Sequence, residues 1–301
     1  MQRSIINPLF LIATILLILS WAEKEETEKF PHGQRNRKGV SPGNCNVKPY
    51  EIRIYRKYPS QKTTERVISF AGYKWHVKSG YAAPGRNFWS GSTENVWKDK
   101  EGLHLKITRR EGKWYCAEIF SDQSFGYGKY TFYLIGRPDH FDKKVVLGLF
   151  TYPDPEGYRE AEKGPGEIDI EFAKELIKGP NNTQYAIHYN SPEGESRAWN
   201  YPFQAALKGD YSTHSFNWQP ASVDFRSIHG HREGTNNPRS IIGEKAIRGS
   251  MVPTPGNMKV HINLWLYDAN HDGRGDPPKD GDEVEIVIRD FKFTPLESGA
   301  R

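Results

Sequence analysis

Residues 166–172 read Gly166-Glu167-Ile168-Asp169-Ile170-Glu171-Phe172. Acidic and large apolar side chains alternate with a period of two, the period of an extended strand. Read that way, Glu167, Asp169 and Glu171 share one face while Ile168, Ile170 and Phe172 enter a core. Three carboxylates in line repel one another and add nothing to packing, so the pattern suits acid chemistry or a bound cation. Glycosidic cleavage with retention uses two carboxyls about 5–5.5 Å apart, one a nucleophile and the other an acid/base. Positions four apart on a straight strand have α-carbons roughly 13 Å apart. Such a pair therefore requires side chains that lean together, as on the concave face of a curved sheet. A solvated acidic face and a calcium site are the alternative readings of this spacing.

The same alternation recurs outward from this segment. Leu103, Leu105 and Ile107 oppose His104, Lys106 and Thr108. Tyr115, Ala117 and Ile119 oppose Trp114, Cys116, Glu118 and Phe120, and Val260, Ile262, Leu264 and Leu266 oppose His261, Asn263, Trp265 and Tyr267. Val284, Ile286 and Ile288 repeat the pattern near the C-terminus. Turn clusters such as Ala83-Pro84-Gly85 and Ser191-Pro192-Glu193-Gly194 separate the runs. Helical patterning is confined to about two turns at 156–163 and at 203–208. The expected fold is all-β: two stacked antiparallel sheets in a concanavalin-like jelly-roll sandwich. The aliphatic faces suit the core, and the aromatic and polar faces suit a concave cleft for a hydroxylated ligand.

The 301 residues carry 42 Lys+Arg against 37 Asp+Glu, a net charge of +5 spread along the chain. Without a basic block there is no nucleic-acid arm, and two Cys exclude a disulfide-dense scaffold. Arg3, an apolar run from Ile5 to Trp21 and Ser20-Trp21-Ala22 read as a secretory signal cleaved after Ala22. An N-terminal membrane anchor is the alternative. Residues 23–44 are charged and aperiodic, a disordered leader. The folded domain is expected over 45–296, with 297–301 a tail. Export places the protein outside the cell or in a periplasm, with no stable membrane insertion once the signal is removed. It also permits a Cys45–Cys116 disulfide, which by closing about 70 residues would contribute on the order of 4 kcal/mol; two unpaired thiols are the other reading.

Glu167-Ile168-Asp169-Ile170-Glu171-Phe172 resembles the signature of glycoside hydrolase family 16, the lichenase and laminarinase group of β-jelly-roll enzymes. Three further blocks in matching order extend the resemblance over roughly Tyr73 to Pro295. Cys116-Ala117-Glu118 with Gly126-Tyr127-Gly128-Lys129-Tyr130 is similar to the strand pair that precedes the signature in lichenases. Thr213-His214-Ser215-Phe216-Asn217-Trp218 resembles the later His-x-Tyr/Phe-x-Trp strand, and Ile262-Asn263-Leu264-Trp265 the Asn-Leu-Trp strand. The resemblance implies Glu167 as nucleophile, Asp169 as assisting carboxylate and Glu171 as general acid/base, with net retention. It also implies that Glu118, Asn263 and Trp265 face the sugar. Trp89 is a candidate second stacking platform. The signature lacks the extra residue of laminarinases, agarases and carrageenases, and so is similar to that of lichenases and plant xyloglucan-modifying enzymes. Pro165 replaces a lichenase Trp, Ala186 an Asn and His188 a Tyr, all at sugar-contacting positions.

Asp268-Ala269-Asn270-His271-Asp272-Gly273 has the acid spacing of a calcium loop, which Asp276 would complete, but Lys279 stands where an EF-hand needs Glu. It reads either as a structural calcium site on Asp268, Asn270 and Asp272 or as a solvated turn. His229-Gly230-His231 reads as a polar turn. The expected protein is a monomeric endo-glycosidase that acts on a β-linked polysaccharide, most simply a β-1,3/1,4-glucan, and requires no cofactor. Transglycosylation on the same scaffold and a lectin-like binder without catalysis are the alternatives.

Overall fold

The computed structural model describes residues 66–153, 166–177, 179–190, 195–270 and 274–297. Strands make up nearly all of its regular structure, as expected. The first antiparallel sheet runs in the order β1 (Val67–Phe70), β2 (Tyr73–Val77), β7 (Lys113–Ser121), β16 (Met258–Leu266), β9 (Val145–Pro153), β10 (Ile168–Phe172), β11 (Thr183–Asn190) and β12 (Ser196–Phe203). The second runs β5 (Val96–Lys98), β6 (Leu103–Arg110), β17 (Val284–Pro295), β8 (Gly128–Ile135), β13 (Tyr211–Gln219), β14 (Ser222–His229) and β15 (Ile241–Arg248). The two sheets are joined where the start of β7 pairs with the end of β6 and, in parallel, with β4 (Asn87–Trp89); β3 (Gly80–Ala82) pairs with β4.

The aliphatic faces meet between the sheets. Leu103, Leu105, Ile107, Ala117, Ile119, Ile168, Ile170, Ile262 and Leu264 are fully buried, each larger side chain contributing about 1.5–3 kcal/mol relative to exposure. Aromatic pairs cross the interface, with Phe172 edge-on to His214 at 5.2 Å, Tyr185 stacked on Phe225 at 4.7 Å and Trp75 against Phe291 at 5.5 Å. The second of these lies behind β11 and the first behind β10. They back the acidic strand with a rigid layer.

The helix expected at 203–208 does not form. Phe203 ends β12, and the following backbone takes its hydrogen bonds from side chains: Ala205 N–H donates to Asn182 Oδ1 (2.8 Å), Asn182 Nδ2 donates to the Ala205 carbonyl (3.0 Å), and Leu207 N–H donates to Asp139 Oδ2 (2.9 Å). These distant partners satisfy the groups that a helix would have paired locally. The helix expected at 156–163 lies outside the described residues, as do the signal, the leader and the start of the domain at Cys45. One helical turn, α1 (Lys174–Ile177), follows β10 instead. Cys116 is buried with a free thiol that donates to Asn87 Oδ1 (3.3 Å), so it forms no bridge here; Cys45 lies outside the described residues. No helix among the described residues is long and apolar enough to cross a membrane.

Candidate active site

The acidic strand begins at a turn that only glycine fits well. Gly166 has φ of +61°, in the left-handed region, and a side chain there would press on Met258. β10 then runs without a bulge, pairing residue for residue with β9 and β11. The His188 N–H donates to the Glu167 carbonyl (2.9 Å), extending the β11 pairing to the first acid.

Register places two rows of side chains across the first sheet. In one, Phe120, His261, Phe150, Asp169 and Ala186 lie directly opposite one another on β7, β16, β9, β10 and β11. In the next, Glu118, Asn263, Gly148, Glu171 and Gln184 do the same. At Gly148, opposite Glu171, the Asn263 side chain fills the place of a side chain, since a β-carbon there would lie 2.6 Å from Asn263 Oδ1. Asn263 Oδ1 accepts from the Gly148 N–H (3.1 Å).

Asp169 is 4% exposed, and Glu167 and Glu171 are half-buried. Burial pushes the Asp169 carboxyl well above the usual carboxylate range. The charges of Glu167 and Glu171, and a hydrogen bond to Glu167, add to the effect. Asp169 Oδ2 is sealed from solvent without a hydrogen-bond partner, with His188 Nε2 3.6 Å away. The Glu171 carboxyl is likewise raised, chiefly by burial and also by Glu167, although Gln184 and His188 oppose the shift. Gln184 Nε2 donates to Glu171 Oε2 at 2.5 Å. Glu167, Asp169, Glu171 and His188 thus form one electrostatically coupled cluster.

Glu167, Asp169 and His188 bring donor atoms within 4.8 Å of one another, as do Asp99, Glu101 and His104. Both nitrogens of His104 are already bonded, to Glu285 (2.7 Å) and Asp99 (2.9 Å). The structure describes part of the expected calcium loop. Asp276, which was to complete it, accepts from Lys144 Nζ (2.6 Å), Asn270 Nδ2 (3.0 Å) and the Ala269 N–H (3.2 Å). A lysine just before β9 holds this carboxylate. Asp268 is buried, and Asp272 lies outside the described residues.

A family model described as glycosyl hydrolases family 16 matches residues 85–280, which span β10 and both rows. The chain belongs to glycosyl hydrolase family 16. It is therefore a glycosidase acting on O-glycosyl bonds. Solved structures share the fold at low identity. A Bacillus licheniformis β-glucanase is 20% identical, with a TM-score of 0.52, covering 74% of this chain and 92% of its own. A Bacteroides ovatus family 16 endo-glucanase is 17% identical, with a TM-score of 0.52 and coverage of 73% and 94%. A Mycobacterium tuberculosis protein described as a pseudo β-1,3-glucanase is 17% identical, with a TM-score of 0.53 and coverage of 74% and 91%. No curated protein sequence matches the chain.

Within this family 16 frame, four positions expected to meet sugar, Trp89, Glu118, Asn263 and Trp265, are buried. Trp89 is 2% exposed; its Nε1–H donates to the Ala82 carbonyl (2.9 Å), and Lys78 Nζ lies 4.1 Å over its ring. Trp265 is 4% exposed, and the turn at Gly85 comes so near that a β-carbon there would lie 2.9 Å from Cζ3. Neither indole offers an open face, because covering so large an apolar surface outweighs leaving it wet. Glu118 is buried with Lys78 Nζ at 2.6 Å from Oε2 and His261 Nδ1 at 3.0 Å from Oε1. Burial alone would raise its carboxyl, but Lys78 and His261 outweigh that and hold it below the usual range. Lys78, Gln184, Gly148 and His261 are the participants that sequence reading missed. His261 and Gln184 had a signal, His261 on the polar side of its strand and Gln184 two residues before Ala186. Lys78 and Gly148 had none.

Proposed function

We propose that this family 16 enzyme is an exported, monomeric endo-hydrolase that cleaves a β-linked glucan with retention. The observation that carries the reading is Asp169, buried between two half-exposed carboxyls on an unbulged strand, where burial and both neighbours favour its protonated form. Its proton bridges to Glu167 and steadies that carboxylate as it attacks the anomeric carbon. Glu171, raised by burial, holds a proton for the departing glycosidic oxygen while Gln184 fixes its orientation. After departure Glu171 is a carboxylate and draws a proton from the incoming water, which releases the sugar from Glu167. The row containing Phe150 and His261 supports a cleft that crosses the strands, so that a chain laid along it meets several side chains between its ends.

The unbulged β10 supports a lichenase-like choice of glucan, and Ala186 and His188 then reshape the pocket. The test is reducing-end release by residues 23–301 from mixed-linkage glucan, laminarin, xyloglucan, agarose and carrageenan. Release from a glucan, absent in Glu167→Ala/Glu171→Ala, is the expected result. Binding without release from any of the five would favour a lectin-like protein. With Glu171→Gln, turnover of polysaccharide should fall about 10²- to 10⁴-fold, while a substrate with a good leaving group loses far less. Equal losses on both would remove the acid role.

A further inference from the structure

His261 is placed differently from every other cleft residue described above. Its imidazole is stacked between Phe120 (5.4 Å, 18° between planes) and Phe150 (5.1 Å, 27°), with Tyr152 edge-on at 5.9 Å. Held in this way, the rings stand side by side across the sheet and pack against one another face to face, so the imidazole is gripped through its faces. Its two nitrogens then have distinct fates. Glu118 is buried and held ionised by Lys78 and His261, so it can only accept, and Nδ1 must carry the proton that it donates to Oε1 at 3.0 Å. Nε2 has no partner among the described residues and is not sealed from solvent. In the neutral ring it is a bare acceptor, fixed in direction by the stack.

Register puts this acceptor in the same row as Asp169, two strands away through Phe150, or about 9–10 Å at ordinary strand spacing. We infer that His261 is a binding residue for a sugar beyond the one being cleaved, its Nε2 accepting a hydrogen bond from a hydroxyl, and that Glu118 is a positioning residue that acts through it. Both Glu118 oxygens are engaged within the protein, so its effect on the substrate passes through the tautomer that it imposes. The chemistry selected is a neutral hydroxyl donor at that point of the polysaccharide. An ether oxygen or a sulfate ester there offers no proton and is rejected. This inference rests on the glucan-hydrolase reading.

The experiment compares wild type with His261→Asn, His261→Gln and Glu118→Gln on the best polysaccharide of the panel, with nitrogen-15 spectra of the histidines. His261→Asn keeps an amide near the Nδ1 position and loses the distal acceptor. KM should rise about three- to tenfold, the loss of one ordinary hydrogen bond, with a smaller change in kcat. His261→Gln restores an acceptor near the Nε2 position and should recover part of that loss. In the spectra, wild-type His261 should be protonated at Nδ1, and Glu118→Gln should release that preference while raising KM in the same direction. Unchanged KM in His261→Asn, or a wild-type ring protonated at Nε2 alone, would overturn the inference. Failure of the wild type to cleave any glucan would instead strike the underlying reading, and the spectra still decide the tautomer independently.

Discussion

At the scale of single residues, Asp169 sets stability against activity. Burial first, and then Glu167 and Glu171, lift its folded-state pKa above the value of about 3.9 in an unfolded chain. Between those two values the native state keeps a proton that the unfolded chain has lost. The stability this provides is complete below about pH 3.9 and is lost as pH rises through the folded pKa. Asp169→Asn removes the penalty and keeps the size of the side chain. Its melting temperature should exceed that of wild type by a few degrees at pH 8, with the gain shrinking towards pH 4, while hydrolysis drops by about 10²-fold or more. Thermal melts at the two pH values check the first part; an equal gain at both would contradict it. The acid trio itself was legible in seven residues, because alternation alone puts its members on one face. Their surroundings were not. Gln184 and His261 reach the site from strands, and Lys78 from the end of one, whose pairing no local pattern states. Of the two tryptophans read as platforms, Trp265 is approached by the turn at Gly85 and Trp89 is covered by Lys78, contacts made only in the folded chain.

At the scale of elements, β10 depends on the strand behind it. His214 on β13 is fully buried, with ring nitrogens bonded to the hydroxyls of Ser227 (2.8 Å) and Ser212 (2.9 Å) and Phe172 of β10 edge-on to it. Burial pushes its pKa down to about 3, so it stays neutral in the native state while the unfolded chain takes up a proton below about 6.5. Stability must therefore fall as pH drops from about 6.5 towards 3. The melting temperature of His214→Asn should fall less than that of wild type between pH 7 and pH 5, even if the variant is less stable throughout. A parallel fall in both proteins would contradict this. The block from Thr213 to Trp218 was legible as a strand, and the buried place of its histidine was not, since beside Ser212 on its own strand it needs Ser227 from β14 and Phe172 from the facing sheet. The mistaken helix at 203–208 has the same origin: Asn182 and Asp139, both remote in sequence, supply its hydrogen bonds.

At the scale of the whole molecule, two sheets pack their aliphatic faces together, and one turns a row of aromatic and acidic side chains outward. Alternation along β6, β7, β16 and β17 made that division legible. The order in which the strands pair, which brings Glu118 within reach of His261 and Glu171 beside Gly148, emerges only in the folded chain. Solved structures with this architecture include both endo-glucanases and a protein described as a pseudo β-1,3-glucanase, so architecture alone does not carry the chemistry. The carboxyls do. Glu167→Ala, given a substrate with an activated leaving group and external azide, opens the space in which the nucleophile stood. Turnover should fall by more than about 10³-fold without azide and recover in part with it, yielding a glycosyl azide of inverted, α configuration. A β-configured azide, or near-normal turnover without azide, would contradict Glu167 as the nucleophile of a retaining enzyme.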